Sequence, residues 1–273
     1  QQHFLIRRFR GSPFSPELPR PLGMLANALL CTLLLLTVFQ TTLELLSLLG
    51  YLINRSYFVP PLAFRYVMGI VAVTLSVVGV TQAVRVPPVK EVEVELANLP
   101  PEFDGYRLIQ LTDLHLSRLF PGSWAEKVVD KANAQNADLI VITGDLMDGT
   151  LQARRSDVEP LGKLRAKDGV FVITGNHEYY YGYEGWMKRY EELGMTRLAN
   201  SHAAISRGGS KLVLAGITDS TAQRFDLPAP NLKGALSGAP AGAPVILLDH
   251  KPGGARSAAK EGVSLQLSGH THG

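Results

Sequence analysis

Seven side chains with nitrogen or oxygen donors punctuate the later part of the sequence, each in a short turn-like motif. Asp113 and His115 lie in Thr-Asp-Leu-His, Asp145 in Gly-Asp, Asn176 in Gly-Asn-His-Glu, His250 in Asp-His, and His270 and His272 in Gly-His-Thr-His-Gly. The only cysteine, Cys31, lies far upstream in an apolar run. A set of carboxylate, carboxamide and imidazole donors without thiolate excludes iron–sulfur clusters and suits Mn2+, iron or Zn2+. Seven donors are too many for one ion and fit two ions sharing a ligand. A carboxylate has two oxygens and can span a pair, which makes Asp145, in the central turn, the natural bridge. Two such ions about 3.5–4 Å apart acidify a bound water, clamp a phosphoryl oxygen and stabilise in-line displacement. Any one of these fragments arises by chance; the ordered set is the signal.

The elements that must position these turns are short apolar runs at residues 108–111, 139–143, 170–174, 245–248 and 263–267. Runs of this length, rich in Val, Ile and Leu and spaced by helix-like segments, read as buried strands of a layered α/β fold whose sheets are flanked by helices. Ligands of such sheets gather outside the carboxyl ends of the strands, where every one of these turns falls. Asp113 and His115 are two apart, so from a strand end both are expected to point the same way. Gly144, Gly175 and Gly269 are expected to let backbone and ligand approach without a Cβ between them. Trp124, Val128, Val129 and Ala132 recur at helical spacing and predict a packing helix. Further helices are expected over 157–166 and 184–193, and a strand pair joins 202–206 to 211–216 across Arg207-Gly208-Gly209-Ser210. Residues 227–244, rich in Pro, Ala and Gly, read as an ordered loop or short helix. Residues 91–96 alternate Glu with Val or Leu and predict a strand with one wet face, its glutamates solvated rather than metal-bound.

The first 90 residues differ in kind. They carry eight Lys or Arg against two Asp or Glu, a net of +6, whereas the rest of the chain carries −3 within a total of +3. A nucleic-acid footprint would need its basic cluster on the chemistry-bearing part, so no nucleic-acid partner is expected. Residues 1–21, basic and Pro-rich, read as a juxtamembrane tail. Residues 22–43 and 66–84 carry no charge and are each expected to span a membrane as a helix, which takes about 20 apolar residues. Pro60-Pro61 breaks the chain between them. Asn54-Arg55-Ser56 matches a glycosylation sequon but is read as coincidence beside a membrane. Arginines ahead of the first span outnumber those in the connecting loop, which by the positive-inside rule favours a cytoplasmic position for both ends. Pro87-Pro88 forms a stiff linker. The expected division is therefore a tail and membrane region over 1–90 and a catalytic domain over 91–273. The chain starts at Gln1 rather than Met, so residues ahead of it are expected.

The order Asp-x-His, Gly-Asp, Gly-Asn-His-Glu, His, Gly-His-x-His across residues 105–273 resembles the calcineurin-like metallophosphoesterase superfamily. The preceding span, the linker and Gly-Asn-His-Glu-Tyr-Tyr resemble its membrane-attached branch. This resemblance implies a layered metallophosphoesterase sandwich holding two divalent metal ions. Asp113, His115, Asp145 and His272 would take one, and Asp145, Asn176, His250 and His270 the other. It also implies that His177 contacts phosphate and serves as general acid for the leaving oxygen, with Glu178 behind it as the group that orients its ring. Tyr179 and Asp219 are expected either behind the metal-binding residues or at the substrate rim. The aromatic stretch 179–186, followed by Lys188-Arg189, reads equally as a substrate rim, a belt touching a bilayer or a packed helix start. Arg154-Arg155 reads as a solvated loop pair. The implied activity is hydrolysis of a phosphodiester or pyrophosphate bond in a phosphorylated small molecule or lipid. Membrane attachment suggests an amphiphilic substrate, and the resemblance implies a nucleotide-linked lipid such as UDP-2,3-diacylglucosamine, of the lipid A pathway. The alternatives are a membrane-tethered metal-binding scaffold without turnover, against which the full donor set argues, and a nuclease of the same superfamily, against which the acidic catalytic part argues. Members of the superfamily continue past Gly-His-x-His with further strands, so the chain is expected to be truncated at Gly273.

Overall fold

The structure, a computed structural model, describes residues 17–96 and 98–272; the expected tail lies outside the described residues up to position 16. The chain divides into two compact units, one ending at Pro87 and the other beginning at Pro88.

The first unit contains two helices, α1 (Arg20–Asn54) and α2 (Leu62–Ala83). Both are long and apolar enough to cross a membrane. The expected span over 22–43 continues to Asn54, because the polar residues along it are satisfied within the helix. Thr32, Thr37 and Thr42 donate to carbonyls four residues back, and Gln40 donates to Glu44 one turn on. At ~1.5 Å per residue α1 is about 52 Å long, well beyond a hydrocarbon core of about 30 Å. It stops where Arg55 turns left-handed at φ 53°, its N–H donating to Tyr51. Pro60-Pro61 then keeps the chain extended until α2 begins.

The second unit is a sandwich of two four-stranded sheets. In chain order it runs β1 (Leu108–Leu111), α3 (Gly122–Asn133), β2 (Leu139–Ile142), α4 (Leu151–Val158), β3 (Val170–Val172), α5 (Asn176–Tyr180), α6 (Tyr183–Glu192), β4 (Thr196–Arg197), β5 (Ser201–Arg207), β6 (Ser210–Gly216), α7 (Leu232–Leu236), β7 (Val245–Leu248), α8 (Ala255–Lys260) and β8 (Leu265–Leu267). The first sheet, β1-β2-β3-β4, is parallel throughout. In the second, β5 and β6 form an antiparallel hairpin, and β7 and β8 add in parallel. The hairpin turns on Gly208 and Gly209 at φ 56° and 91°, the left-handed pair that a two-residue turn between twisted strands requires.

The core lies between the sheets and draws Leu139, Val141, Phe171 and Ile173 from one side and Ile205, Leu212, Leu214, Ile246 and Leu248 from the other. Leu139, Ile140, Val141 and Ile142 are all buried, which explains why β2 reads as a solid apolar run rather than an alternation. On the outer side of the second sheet, Val213, Ala215, Val245 and Leu247 pack with Ala235 of α7 and Ala258 of α8.

Two expected elements differ. Residues 91–96 form no strand: Val92 and Val94 are exposed, and no described strand pairs with them. Alternation gives a strand its two faces, but a ladder partner makes it one. The helix expected over 157–166 lies earlier, as α4, and passes into a tight turn at Glu159–Lys163. Pro160 and Gly162 are poor interior residues for an α-helix. The polar sequence ahead of them is helical instead, with Arg154 inside: its Nε donates to the Asp148 carbonyl at 3.0 Å and its Nη1 to Asp157 at 3.2 Å. Arg154 is therefore a buried packing residue and not one of a solvated pair.

Candidate metal centre

Four of the five turns stay in register beyond their strands. After β1 and β2 the two chains continue to pair: Asp113 N donates to Gly144 O, His115 N to Asp145 O and Leu116 N to Leu146 O. After β7 and β8, Asp249 N donates to Leu267 O and Gly269 N to His250 O. The two sheets are then tied across the centre, because His270 N donates to the Asp113 carboxylate at 3.0 Å. Gln110 Nε2 also reaches both Thr143 Oγ1 and the Ser268 carbonyl.

Five of the expected donors hold left-handed backbone: Asp113, His115, Asp145, His270 and His272 have φ between 43° and 70°. Asp and His tolerate this region better than most side chains, yet such positions are held only by their surroundings. Strand β1 ends at Leu111, so Asp113 and His115 converge through this turn and not through the two-residue period of a strand. The glycines leave room. A Cβ on Gly175 would stand 2.1 Å from Asp145 Oδ1, and one on Gly269 would stand 2.0 Å from Thr112 Oγ1 and 2.3 Å from Asp113 Oδ2.

The donor atoms fall into three groups, each within 4.8 Å: Asp113, His115 and His272; Asp145, His250 and His270; and His115, Asp148 and His177. Asn176 joins the second group, its Oδ1 3.2 Å from His250 Nε2. Asp145 stands between the first two, with Oδ2 3.9 Å from His115 Nε2 and 3.3 Å from His250 Nε2. Two oxygen- and imidazole-rich groups joined by a carboxylate fit a pair of divalent ions.

The ring tautomers follow from their partners. His250 Nδ1 lies 2.7 Å from the Thr143 carbonyl, which can only accept, so Nδ1 carries a hydrogen and Nε2 is the atom turned toward Asp145. His115 Nδ1 likewise donates to Asp148 Oδ1 at 2.9 Å, and His177 Nδ1 to the same oxygen at 2.5 Å. Asp148 is thus the group that sets two rings from two turns. Burial opposes its ionisation, but the two histidines outweigh burial and hold its carboxyl well below the usual range. At Asp145 burial is again opposed, and His250 and His177 keep the carboxyl low. Burial would keep His250 neutral, but Asp145 beside it lifts the ring to about 9. For His177 burial also pulls down, while Asp148 and Asp145 raise it.

Glu178 occupies a different place from the one expected of it. It is fully buried and accepts from the backbone N–H of Asp145, Leu146 and Gly175 and from the Tyr190 hydroxyl, bracing two ligand turns rather than touching the His177 ring. Burial, then the charge of Asp145, raises its pKa. Tyr179, expected behind the metal-binding residues or at the rim, is buried with its hydroxyl 3.0 Å from Thr174 Oγ1; the exposed ring is Tyr180. Asp219 is also buried, accepting from Thr221 N at 2.7 Å and from Lys251 Nζ at 2.9 Å beneath the rim. Asp148 escaped the sequence reading, its only signal being its place three residues beyond Asp145.

A family model described as calcineurin-like phosphoesterase matches residues 106–273. The chain is 35% identical over 268 residues to a transmembrane protein with metallophosphoesterase domain from Danio rerio, covering 93% of this chain and 61% of that one. It is 35% identical over 223 residues to a protein of the same description from Bos taurus, covering 77% of this chain and 50% of that one. An uncharacterized metallophosphoesterase of Helicobacter pylori is 34% identical over 187 residues, covering 68% and 49%. The chain spans about half to three fifths of the length of these relatives.

Proposed function

The chain belongs to the calcineurin-like phosphoesterase family, and from that premise we propose that it is a membrane-anchored phosphohydrolase that cleaves a phosphodiester or pyrophosphate bond with water at a two-metal centre. The observation that carries this reading is the pair of donor groups joined by Asp145 at the strand ends. The family uses a dinuclear metal centre. In this chain Asp113, His115, Asp145 and His272 would hold one ion, and Asp145, Asn176, His250 and His270 the other. Bound there, the ions supply a water acidic enough to lose its proton near neutral pH and positive charge for the phosphoryl oxygens.

The chain's own residues do the rest. Asp148 fixes the His177 ring with Nε2 toward Asp145, 3.9 Å from its Oδ2. From there His177 hands a proton to the leaving oxygen, and the two carboxylates beside it keep that proton on the ring until it is needed. Asp145 accepts from the His177 N–H at 2.8 Å, so the acid and the bridging carboxylate move as one piece. Glu178 holds the turns that carry both.

Two helices long and apolar enough to cross a membrane, and relatives described as transmembrane, support the anchor. An anchored site meets amphiphilic substrates, so the finer proposal is a phosphorylated lipid or nucleotide-linked lipid such as UDP-2,3-diacylglucosamine, with the catalytic unit cytoplasmic. The test is Mn2+-dependent hydrolysis of an aryl phosphodiester, an aryl phosphomonoester and a lipid pyrophosphate, with Asp145→Asn as control. Preference for the diester or pyrophosphate that vanishes in the variant supports the reading; a variant as active as the parent ends it.

A further inference from the structure

Between residues 98 and 272, the exposed large apolar side chains among the described residues are Tyr180 and Phe225, at 49% and 43%. They are neighbours, with ring centroids 6.2 Å apart. Tyr180 also lies 5.7 Å from the His177 ring. Single exposed apolar residues are ordinary on a protein surface, but two rings side by side at the edge of a reaction centre are not.

Both rings are held from behind. Tyr180 closes α5, whose first residues are Asn176 and His177. Tyr179 packs against Phe225 at 6.2 Å and stacks on Tyr183 at 5.0 Å with the planes 3° apart. Phe225 ends the turn Ser220–Phe225, which Asp219 caps by accepting from Thr221 N. Asp219 is in turn bonded by Lys251, the residue after His250. The pair is therefore fixed to the centre from two directions, through α5 and through Lys251. Its rings are tilted 50° to one another.

An acyl chain is gripped by enclosure, since its binding scales with the area removed from water. Two rings left this open enclose little. An exposed ring offers π surface on which a planar group can stack, and stacking is effective on an open surface. Resting on the phosphohydrolase reading above, we infer that Tyr180 and Phe225 form a subsite for a planar aromatic group on the substrate, next to the phosphoryl group handled by His177. A nucleoside base and an aryl ester share that chemistry.

Phenylphosphonate and methylphosphonate differ only in the ring, and isothermal titration of the manganese-loaded full chain reads the subsite without turnover. The parent is expected to bind phenylphosphonate about ten-fold more tightly, about 1.4 kcal/mol. Tyr180→Ala combined with Phe225→Ala is expected to erase that preference while methylphosphonate binding is retained, which also reports an intact fold and centre. Tyr180→Phe is expected to keep the preference, since the ring face remains. A parent without the preference, or a double variant that retains it, overturns the subsite. Cytidine monophosphate against ribose phosphate, compared in the same way, separates a base from a simple aryl group as the preferred occupant. Loss of the preference together with normal aryl diester turnover sinks the subsite alone. A preserved preference without any turnover sinks the phosphohydrolase reading and leaves the subsite standing.

Discussion

The first sheet is polar at both ends, and the two ends treat charge in opposite ways. Where its strands begin, carboxylates meet cations. Asp138 accepts from Lys167 Nζ at 2.9 Å, from Arg207 Nη2 at 3.0 Å and from the Arg107 N–H at 3.0 Å. Asp168 accepts from Arg207 and from the Tyr106 hydroxyl, over whose ring the Arg207 guanidinium lies at 4.8 Å. Burial works against ionisation of Asp138, and these donors overcome it and hold the carboxyl at about 2. Where the strands finish, Asp113, Asp145 and Asp148 are matched by histidine rings and backbone N–H groups, and the backbone turns left-handed at Asp113 and Asp145. Each such residue costs on the order of 1–3 kcal/mol and persists because its surroundings dictate it. One end closes the sandwich; the other gathers the donors proposed to hold the two ions.

Exchanging carboxylates for carboxamides tests that contrast most severely. Asp145→Asn is expected to lower metal content measured by elemental analysis and to cut phosphodiester turnover by about a thousand-fold or more, several kcal/mol of transition-state stabilisation. Asp138→Asn, at the closed end, is expected to leave both within error. Equal effects would erase the distinction between the ends. Gly269→Ala comes next, because its new Cβ would lie 2.3 Å from Asp113 Oδ2. Overpacking of this kind costs about 1–3 kcal/mol in a denaturant melt, and here metal uptake should fall with it.

Asp148→Asn sharpens the picture at the open end, since it removes a charge without removing an expected metal ligand. A loss of about 10–100-fold in metal affinity or kcat is expected, as for other groups that orient ligand histidines. Unaltered titration and kinetics would mean that the bonds to His115 and His177 orient nothing. The smallest effect concerns acid. Asp138 falls from 3.8 to about 2 on folding, so its contribution is full above the unfolded value and is lost as the pH drops through the folded one. That contribution is roughly 2 kcal/mol. The parent should therefore lose more stability than Asp138→Asn between about pH 4 and pH 2, followed by urea unfolding at each pH.

Residue types and periods were enough to reveal the strands and the donor-bearing turns that follow them. A solid apolar run such as 139–142 has few alternatives in an α/β chain, and a donor after each run marks the end where ligands gather. The two apolar helices were equally legible, because each contains a charge-free run about as long as a membrane span. Patterns within one segment fared worse wherever a distant neighbour decided the outcome. Residues 91–96 have the alternation of a strand and no partner; Arg154 has the look of a surface residue and is buried against Asp148 and Asp157.

Sequence by itself determined the donor chemistry, the layered α/β class and the apolar spans, since these follow from side-chain type and local period. Tertiary structure alone decided that Asp148 serves two histidines and that Glu178 braces backbone. It also decided that Tyr180 rather than Tyr179 meets solvent. Each of those depends on which groups from separate turns arrive within hydrogen-bond reach, and hydrogen bonds are too short-ranged and directional for spacing along the chain to foretell them.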